Sequence, residues 1–208
     1  MQNAECRMKV FPSGMIEYRP RRDTTILHLA FCILHFHVFT GDFEMKKVTI
    51  RVPATTANLG PGFDAFGCAL SLYTDVTFEE TEEGLEITGC PEEFTGPDNL
   101  VYTSYCAVLN TMSEEVRGVK IHIDAHIPIC RGLGSSAALL VAGAMGANVL
   151  RGNKLSTQGL LNITNAMEGH PDNLAPAFYG GLTASMVDGG LPVSVSFPLH
   201  PDWEFLAL

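Results

Sequence analysis

Residues 128–138 read Pro-Ile-Cys-Arg-Gly-Leu-Gly-Ser-Ser-Ala-Ala, and no other stretch restricts the chain so tightly. Glycines at 132 and 134 let the backbone turn its N–H groups inward. The run from Ser135 to Leu150 is rich in alanine and glycine and reads as a long helix able to pack close to its neighbours. A glycine-rich turn feeding a helix start makes an anion cradle, because the first N–H groups of a helix have no partner inside it. The hydroxyls of Ser135 and Ser136 add oxygens that suit a phosphate or a hard cation such as Mg2+.

Three readings of this loop compete. A Walker A loop needs a Lys-Ser or Lys-Thr pair after its last glycine, and the chain contains neither pair. The dinucleotide fingerprint fits Gly132, Gly134 and Ala137, but it requires an acidic residue about 20 positions on. Arg151-Gly152-Asn153-Lys154 stands there instead. A glycine-rich turn that merely caps a core helix stays open at this point.

The surrounding pattern is α+β. Val48, Ile50 and Val52 alternate with polar neighbours, which predicts a strand ending at Pro53. Turn formers then crowd residues 55–64, followed by expected strands over 73–78 and 85–88. A helix is expected over 99–112, and Val119, Ile121 and Ile123 alternate in another strand. Beyond the helix over 135–150, a second spans 156–167 with Ser156 as N-cap, and Pro171 suits the first turn of a short third. Val193, Val195 and Phe197 alternate again, and an apolar strand begins near Trp203.

Composition narrows the function classes. A formal charge of −10 disfavours nucleic acid as a partner, since phosphates along a duplex need basic residues to neutralise them. Residues 1–44 hold five basic and five acidic residues, so the excess of acid falls after Met45. Six cysteines form no CxxC pair or clustered metal spacing, which points to free thiols in a reducing cytoplasm. The apolar run 26–39, interrupted by His28, His35 and His37, falls short of the roughly 20 residues needed to span a bilayer. No small-residue cleavage site follows it, and the histidines are not expected to form a metal site. Residues 1–44 are therefore expected to be an extension outside the folded domain, with Met45 as the biological start.

Pro128-x-x-x-Gly132-Leu133-Gly134-Ser135-Ser136-Ala137 resembles the phosphate-binding motif of the GHMP kinases, named for galactokinase, homoserine kinase, mevalonate kinase and phosphomevalonate kinase. Many members have Gly or Ala where Cys130 stands. Residues 53–67, PATTANLGPGFDAFG, resemble the amino-terminal substrate motif of the homoserine kinase branch, where other branches carry Gly-Glu-His. Residues 168–181, EGHPDNLAPAFYGG, resemble that branch's central motif. The resemblance runs from about Lys46 to Leu208. It implies a GHMP-kinase amino-terminal domain over 45–208, a mixed sheet packed against helices. The ferredoxin-like second domain, which supplies arginines for the substrate carboxylate and a third glycine-rich motif, would be absent or truncated.

The same resemblance assigns roles. Pro128, Arg131, Gly132, Leu133, Gly134, Ser135, Ser136 and Ala137 would hold the ATP phosphates, and Asn99 would meet the adenine. Ser136 and Glu168 would ligate Mg2+. Asn58, Asp64, His170 and Asp172 would bind L-homoserine, with Asp172 and Asn173 at the reacting hydroxyl. Asn173 stands where related kinases carry an aspartate base, and an amide cannot accept a proton in that way, so catalysis by positioning is expected. Each residue also has a plainer reading: a turn for Asn58 and Asn99, a helix cap for Asp64, a helix-start carboxylate for Asp172, an exposed helix end for Glu168. The implied activity is ATP-dependent phosphorylation of homoserine in threonine biosynthesis, by a cytoplasmic enzyme that is a homodimer at full length, with no nucleic-acid or membrane partner. A non-catalytic nucleotide-binding fragment and a mevalonate-type kinase are the alternatives.

Overall fold

The computed structural model describes residues 6–10, 16–19, 46–129, 131–199 and 204–207, the side chains only within 46–129 and 131–199. Two strands near the start, β1 (Cys6–Val10) and β2 (Ile16–Arg19), pair antiparallel. The remaining elements run in order from β3 (Lys47–Thr56) through β4 (Phe66–Thr81), β5 (Leu85–Thr88), α1 (Leu100–Thr111), β6 (Gly118–Ala125), α2 (Ser135–Leu150), α3 (Thr157–Glu168), α4 (Leu174–Tyr179), β7 (Leu182–Asp188) and β8 (Leu191–Phe197) to β9 (Glu204–Ala207). β9 pairs with β1, giving a three-stranded sheet separate from the main one. The stretches 20–45 and 200–203, including the apolar run 26–39, lie outside the described residues.

The main sheet is built on β4. One side of this 16-residue strand pairs with β3; the other is shared by β6 along 74–81 and by β7 along 66–68. β5 joins β6 in parallel and β8 joins β7 antiparallel, so the sheet is mixed. This is the α+β class expected from the pattern of elements.

Alternation decides which face is buried. Val48, Ile50, Val52, Val76, Phe78, Val119, Ile121 and Ile123 point into the core beneath the helices. Their neighbours make a polar ladder on the other face: Lys47 to Glu79 at 2.8 Å, Thr49 to Thr77 at 2.8 Å, and Arg51 to Asp75 through two bonds of 2.7 and 2.6 Å. The small residues of α2 let α1 approach closely. A methyl on Gly143 would lie 2.1 Å from the Val101 carbonyl oxygen, and Ser104 Oγ donates to Leu140 O at 2.6 Å.

Three expected boundaries need correction. The strand expected over 73–78 is the middle of β4, which runs from Phe66 to Thr81. β3 does not stop at Pro53; it continues to Thr56 through a register shift between Pro53 and Ala54. A bulge is where a strand tolerates the missing proline N–H. The short third helix starts at Leu174, not at Pro171, whose carbonyl accepts from the Ala175 N–H at 2.8 Å. β7, whose run of small residues Thr183-Ala184-Ser185 mutes its alternation, is an additional strand. Among the described residues no helix is long and apolar enough to cross a membrane.

Candidate active site

The loop 128–134 delivers the chain into α2 through Gly134, which sits in the left-handed region at φ 64°. A side chain there would be strained, and it would also collide: an added Cβ lies 2.0 Å from Thr55 Oγ1. The first helical hydrogen bond is that of Ala138 N–H to Gly134 O, at 2.9 Å. The N–H groups of Ser135, Ser136 and Ala137 are therefore free of helical partners and open on the loop side. Their partial positive charge is the positive end of the helix dipole.

The loop, Ser135 and Ser136 border a cavity of about 540 Å3. Pro128, Arg131, Gly132, Leu133, Gly134, Ser135 and Ser136, all expected at the phosphates, line one side of it, and Ala137 does not reach it. Cys90, Phe94, Leu100, Ile123 and Leu139 form an apolar half that the sequence reading did not identify. Only their alternation and helical spacing were visible, and those mark any core residue. Burial pushes the Cys90 thiol up, so it behaves here as an apolar wall. Asn99 lines the same wall, with both ends of its carboxamide engaged. Its Oδ1 accepts from Val101 N–H at 2.9 Å, capping α1, and its Nδ2 donates to Phe94 O at 2.7 Å.

A second cavity, of about 770 Å3, lies at the Thr81 end of β4. Glu80, Glu82, Glu83 and Glu115 line it together with Lys46 and Arg117, and none of the motif residues reaches it.

Ser136 and Glu168 meet at the cavity's helix side, where Ser136 Oγ donates to Glu168 Oε2 at 2.9 Å. α3 ends at Glu168, and Gly169 in the left-handed conformation turns the chain towards His170 and Asp172. Asp172 is 3% exposed. Its Oδ1 accepts from the Asn173 N–H at 2.8 Å and lies 3.5 Å from Nδ1 of the exposed His170. A methyl at residue 67 would fall 1.8 Å from the Asp172 carbonyl oxygen, so Gly67 is what lets β4 run beneath this turn.

Asn173 lies against the loop. Its Oδ1 accepts from Thr55 Oγ1 at 2.9 Å and would sit 3.2 Å from a Cβ on Gly134. Asn58 approaches the other glycine, with its Nδ2 2.9 Å from where a Cβ on Gly132 would be. Asp64 follows the 3-10 turn Gly60–Gly62 with a positive φ of 57°, exposed, and its carboxylate makes no hydrogen bond or ion pair among the described residues. The structure thus gathers the loop, Asn58, Glu168, Asp172 and Asn173 around one region. Thr55 and Gly67, which sequence reasoning passed over, join them.

Residues 99–181 match the family described as the GHMP kinases N terminal domain. These residues form a GHMP kinase amino-terminal domain. This GHMP kinase domain is 47% identical over 161 residues to a homoserine kinase of Clostridium botulinum, covering 77% of this chain and 54% of that protein. With a homoserine kinase of Clostridium beijerinckii it shares 45% over 142 residues, 68% of this chain and 48% of the other. The crystal structure of homoserine kinase from Cytophaga hutchinsonii superposes with a TM-score of 0.67 at 30% identity, covering 78% of this chain and 55% of that one. A mevalonate kinase structure from Methanococcus jannaschii, at 15% identity, shares the fold, with a TM-score of 0.56 over 72% of this chain and 56% of its own. The chain spans about half the length of the curated relatives it matches.

Proposed function

We propose that this chain forms the ATP-binding part of a homoserine kinase, which transfers the γ-phosphoryl group of ATP to the side-chain hydroxyl of L-homoserine. The observation that carries the reading is the link between the phosphate loop and Asn173 through Thr55, whose N–H donates to Leu133 O at 3.1 Å and whose hydroxyl donates to Asn173 Oδ1 at 2.9 Å. A phosphoryl group held by the loop and an acceptor held beside Asn173 would be neighbours, which is what phosphoryl transfer chiefly requires.

In this reading the triphosphate lies along Gly132 to Ala137, with Arg131 at the outer edge and the adenine against Phe94, Leu100 and Leu139. The buried Asp172 carboxylate suits the homoserine ammonium, with His170, Asn58 and Asp64 completing the pocket. Residues 45–208 constitute the ATP-binding domain, and residues 1–44 stand outside its main sheet, with β1 of that stretch paired to β9. The protein would work in the cytoplasm, as a homodimer at full length, in threonine biosynthesis.

The donor set fits Mg2+. Ser136 and Glu168 offer two hard oxygens 2.9 Å apart, and such an ion keeps most of its shell for water and phosphate oxygens. When bound it neutralises the charge of the phosphates. The chain's own groups do the rest. The loop N–H groups and the helix dipole hold the phosphates, and Asn173 and Asp172 orient the acceptor. The hydroxyl oxygen forms the new P–O bond as the bond to the departing ADP oxygen breaks. Its proton passes to phosphate or solvent, since the Asn173 amide accepts none.

The chain mixed with Mg-ATP should release ADP only when homoserine is added. Mevalonate or galactose serving in its place would reassign the acceptor. ATP binding with no turnover on any of the three would leave a nucleotide-binding role alone.

A further inference from the structure

Thr55 occupies a junction that no motif role explains. It is fully buried at the end of β3, and its N–H donates to the Leu133 carbonyl at 3.1 Å. Its hydroxyl donates to Asn173 Oδ1 at 2.9 Å, across 118 positions of sequence. The same hydroxyl is the atom that an added Cβ on Gly134 would strike. One residue therefore touches the phosphate loop at two consecutive positions and the acceptor-side carboxamide as well.

The sense of the Asn173 amide follows from its two neighbours. Its Nδ2 lies 3.5 Å from Asp172 Oδ1, which already accepts from the Asn173 backbone N–H. Turning the carboxamide over would set Oδ1 against that carboxylate, acceptor against acceptor. Only one orientation satisfies both sides, with Oδ1 on the threonine proton and the N–H donors towards Asp172.

We infer that Thr55 is a positioning residue for phosphoryl transfer: its hydroxyl holds the Asn173 carboxamide in a single orientation beside the phosphate loop. The inference rests on the kinase reading given above. Without the hydroxyl the carboxamide loses its anchor, while the backbone bond to Leu133 survives and the loop keeps its place. Turnover, rather than nucleotide binding, is what such a change should cost.

The test is Thr55→Val in the 208-residue chain, which removes the hydroxyl at nearly constant shape. Turnover should fall by ~10- to 100-fold, the size of effect that accompanies misplacement of reacting groups. The KM for ATP should move less than about threefold, because uniform binding is untouched. Thr55→Ser, which keeps the hydroxyl, should recover most of the loss. In an Asn173→Ala background, Thr55→Val should cost little more, since its partner is already gone. Wild-type turnover in Thr55→Val, or a full additional loss on top of Asn173→Ala, would overturn the inference. If the unaltered chain phosphorylates nothing, the kinase reading fails by itself. The positioning claim is then judged from crystals of Thr55→Val, where a carboxamide left in place refutes it and one that has turned supports it.

Discussion

Ser136 Oγ donates a 2.9 Å hydrogen bond to Glu168 Oε2, joining the first turn of α2 to the last residue of α3. Neither helix needs this bond for its own stability, and it sets two hard oxygens at the edge of the proposed phosphate cradle. Glu168→Gln keeps the shape and removes the charge. Its ADP release should require more Mg2+ and fall by ~10- to 100-fold at limiting Mg2+, as outer and inner changes at metal sites do. Initial rates across a magnesium titration at fixed ATP check this; an unchanged titration would remove Glu168 from the metal site.

Gly134→Ala should lose both stability and nucleotide affinity. The left-handed backbone costs a side chain about 1–2 kcal/mol. Collision with Thr55 Oγ1 adds about 1–3 kcal/mol of crowding. Gly152 also has a positive φ, at 77°, but nothing lies within 4 Å of its added Cβ. Gly152→Ala should therefore show the backbone cost alone and bind an ATP analogue normally. Urea unfolding and calorimetric titration of the two variants separate the effects.

Arg151 should prove a structural cation. Its Nη1 lies 2.5 Å from Glu80 Oε1, and the two side chains are 12% and 7% exposed. Tyr105, whose hydroxyl donates to the same oxygen at 3.3 Å, closes the cluster. Removing one partner of a buried pair costs about 3–5 kcal/mol, because the other charge stays buried without compensation. Arg151→Met should destabilise by that order, and adding Glu80→Gln should restore part of it. Denaturant midpoints of the single and double variants measure the difference.

Glu114 should contribute to the acid limb of stability. The hydrogen bond from Lys154, followed by the charges of Lys154, Arg151 and Arg117, holds its carboxyl below the ordinary value of 4.5. A carboxylate whose pKa is depressed in the folded state binds fewer protons there than when unfolded. Its stabilisation is complete above pH 4.5 and disappears as the pH falls through the folded value. Glu114→Gln should flatten the decline of Tm below pH 5 and leave its shape near pH 7 unaltered.

Thiol chemistry offers a probe of the cavity. Cys68 is fully buried, and burial pushes its thiol up to about 12, so it should resist alkylation at neutral pH. Cys90 is partly exposed on the cavity wall and should react slowly. ATP seated against Phe94 and Leu100 should protect it. Peptide mapping after iodoacetamide, with and without Mg-ATP, reads both sites. Equal labelling of Cys90 under the two conditions would place the base elsewhere.

Much of this protein is local. Period-2 alternation through Val48, Ile50 and Val52, and through Val119, Ile121 and Ile123, determined two strands and their buried faces. The glycine-rich turn followed by an alanine-rich run determined the cradle and α2, since backbone freedom and an unpartnered helix start depend only on neighbours in the chain. What the tertiary structure decided lies between distant segments: β3 running on past Pro53 through a bulge, Ser136 reaching Glu168, Thr55 reaching Asn173 over 118 residues. The apolar wall of Cys90, Phe94 and Leu139 belongs with these. Side chains at such positions are ordinary in their own segments. They acquire a role only when β4, the spine of the sheet, and the close approach of α1 to α2 bring those segments within hydrogen-bonding or van der Waals distance.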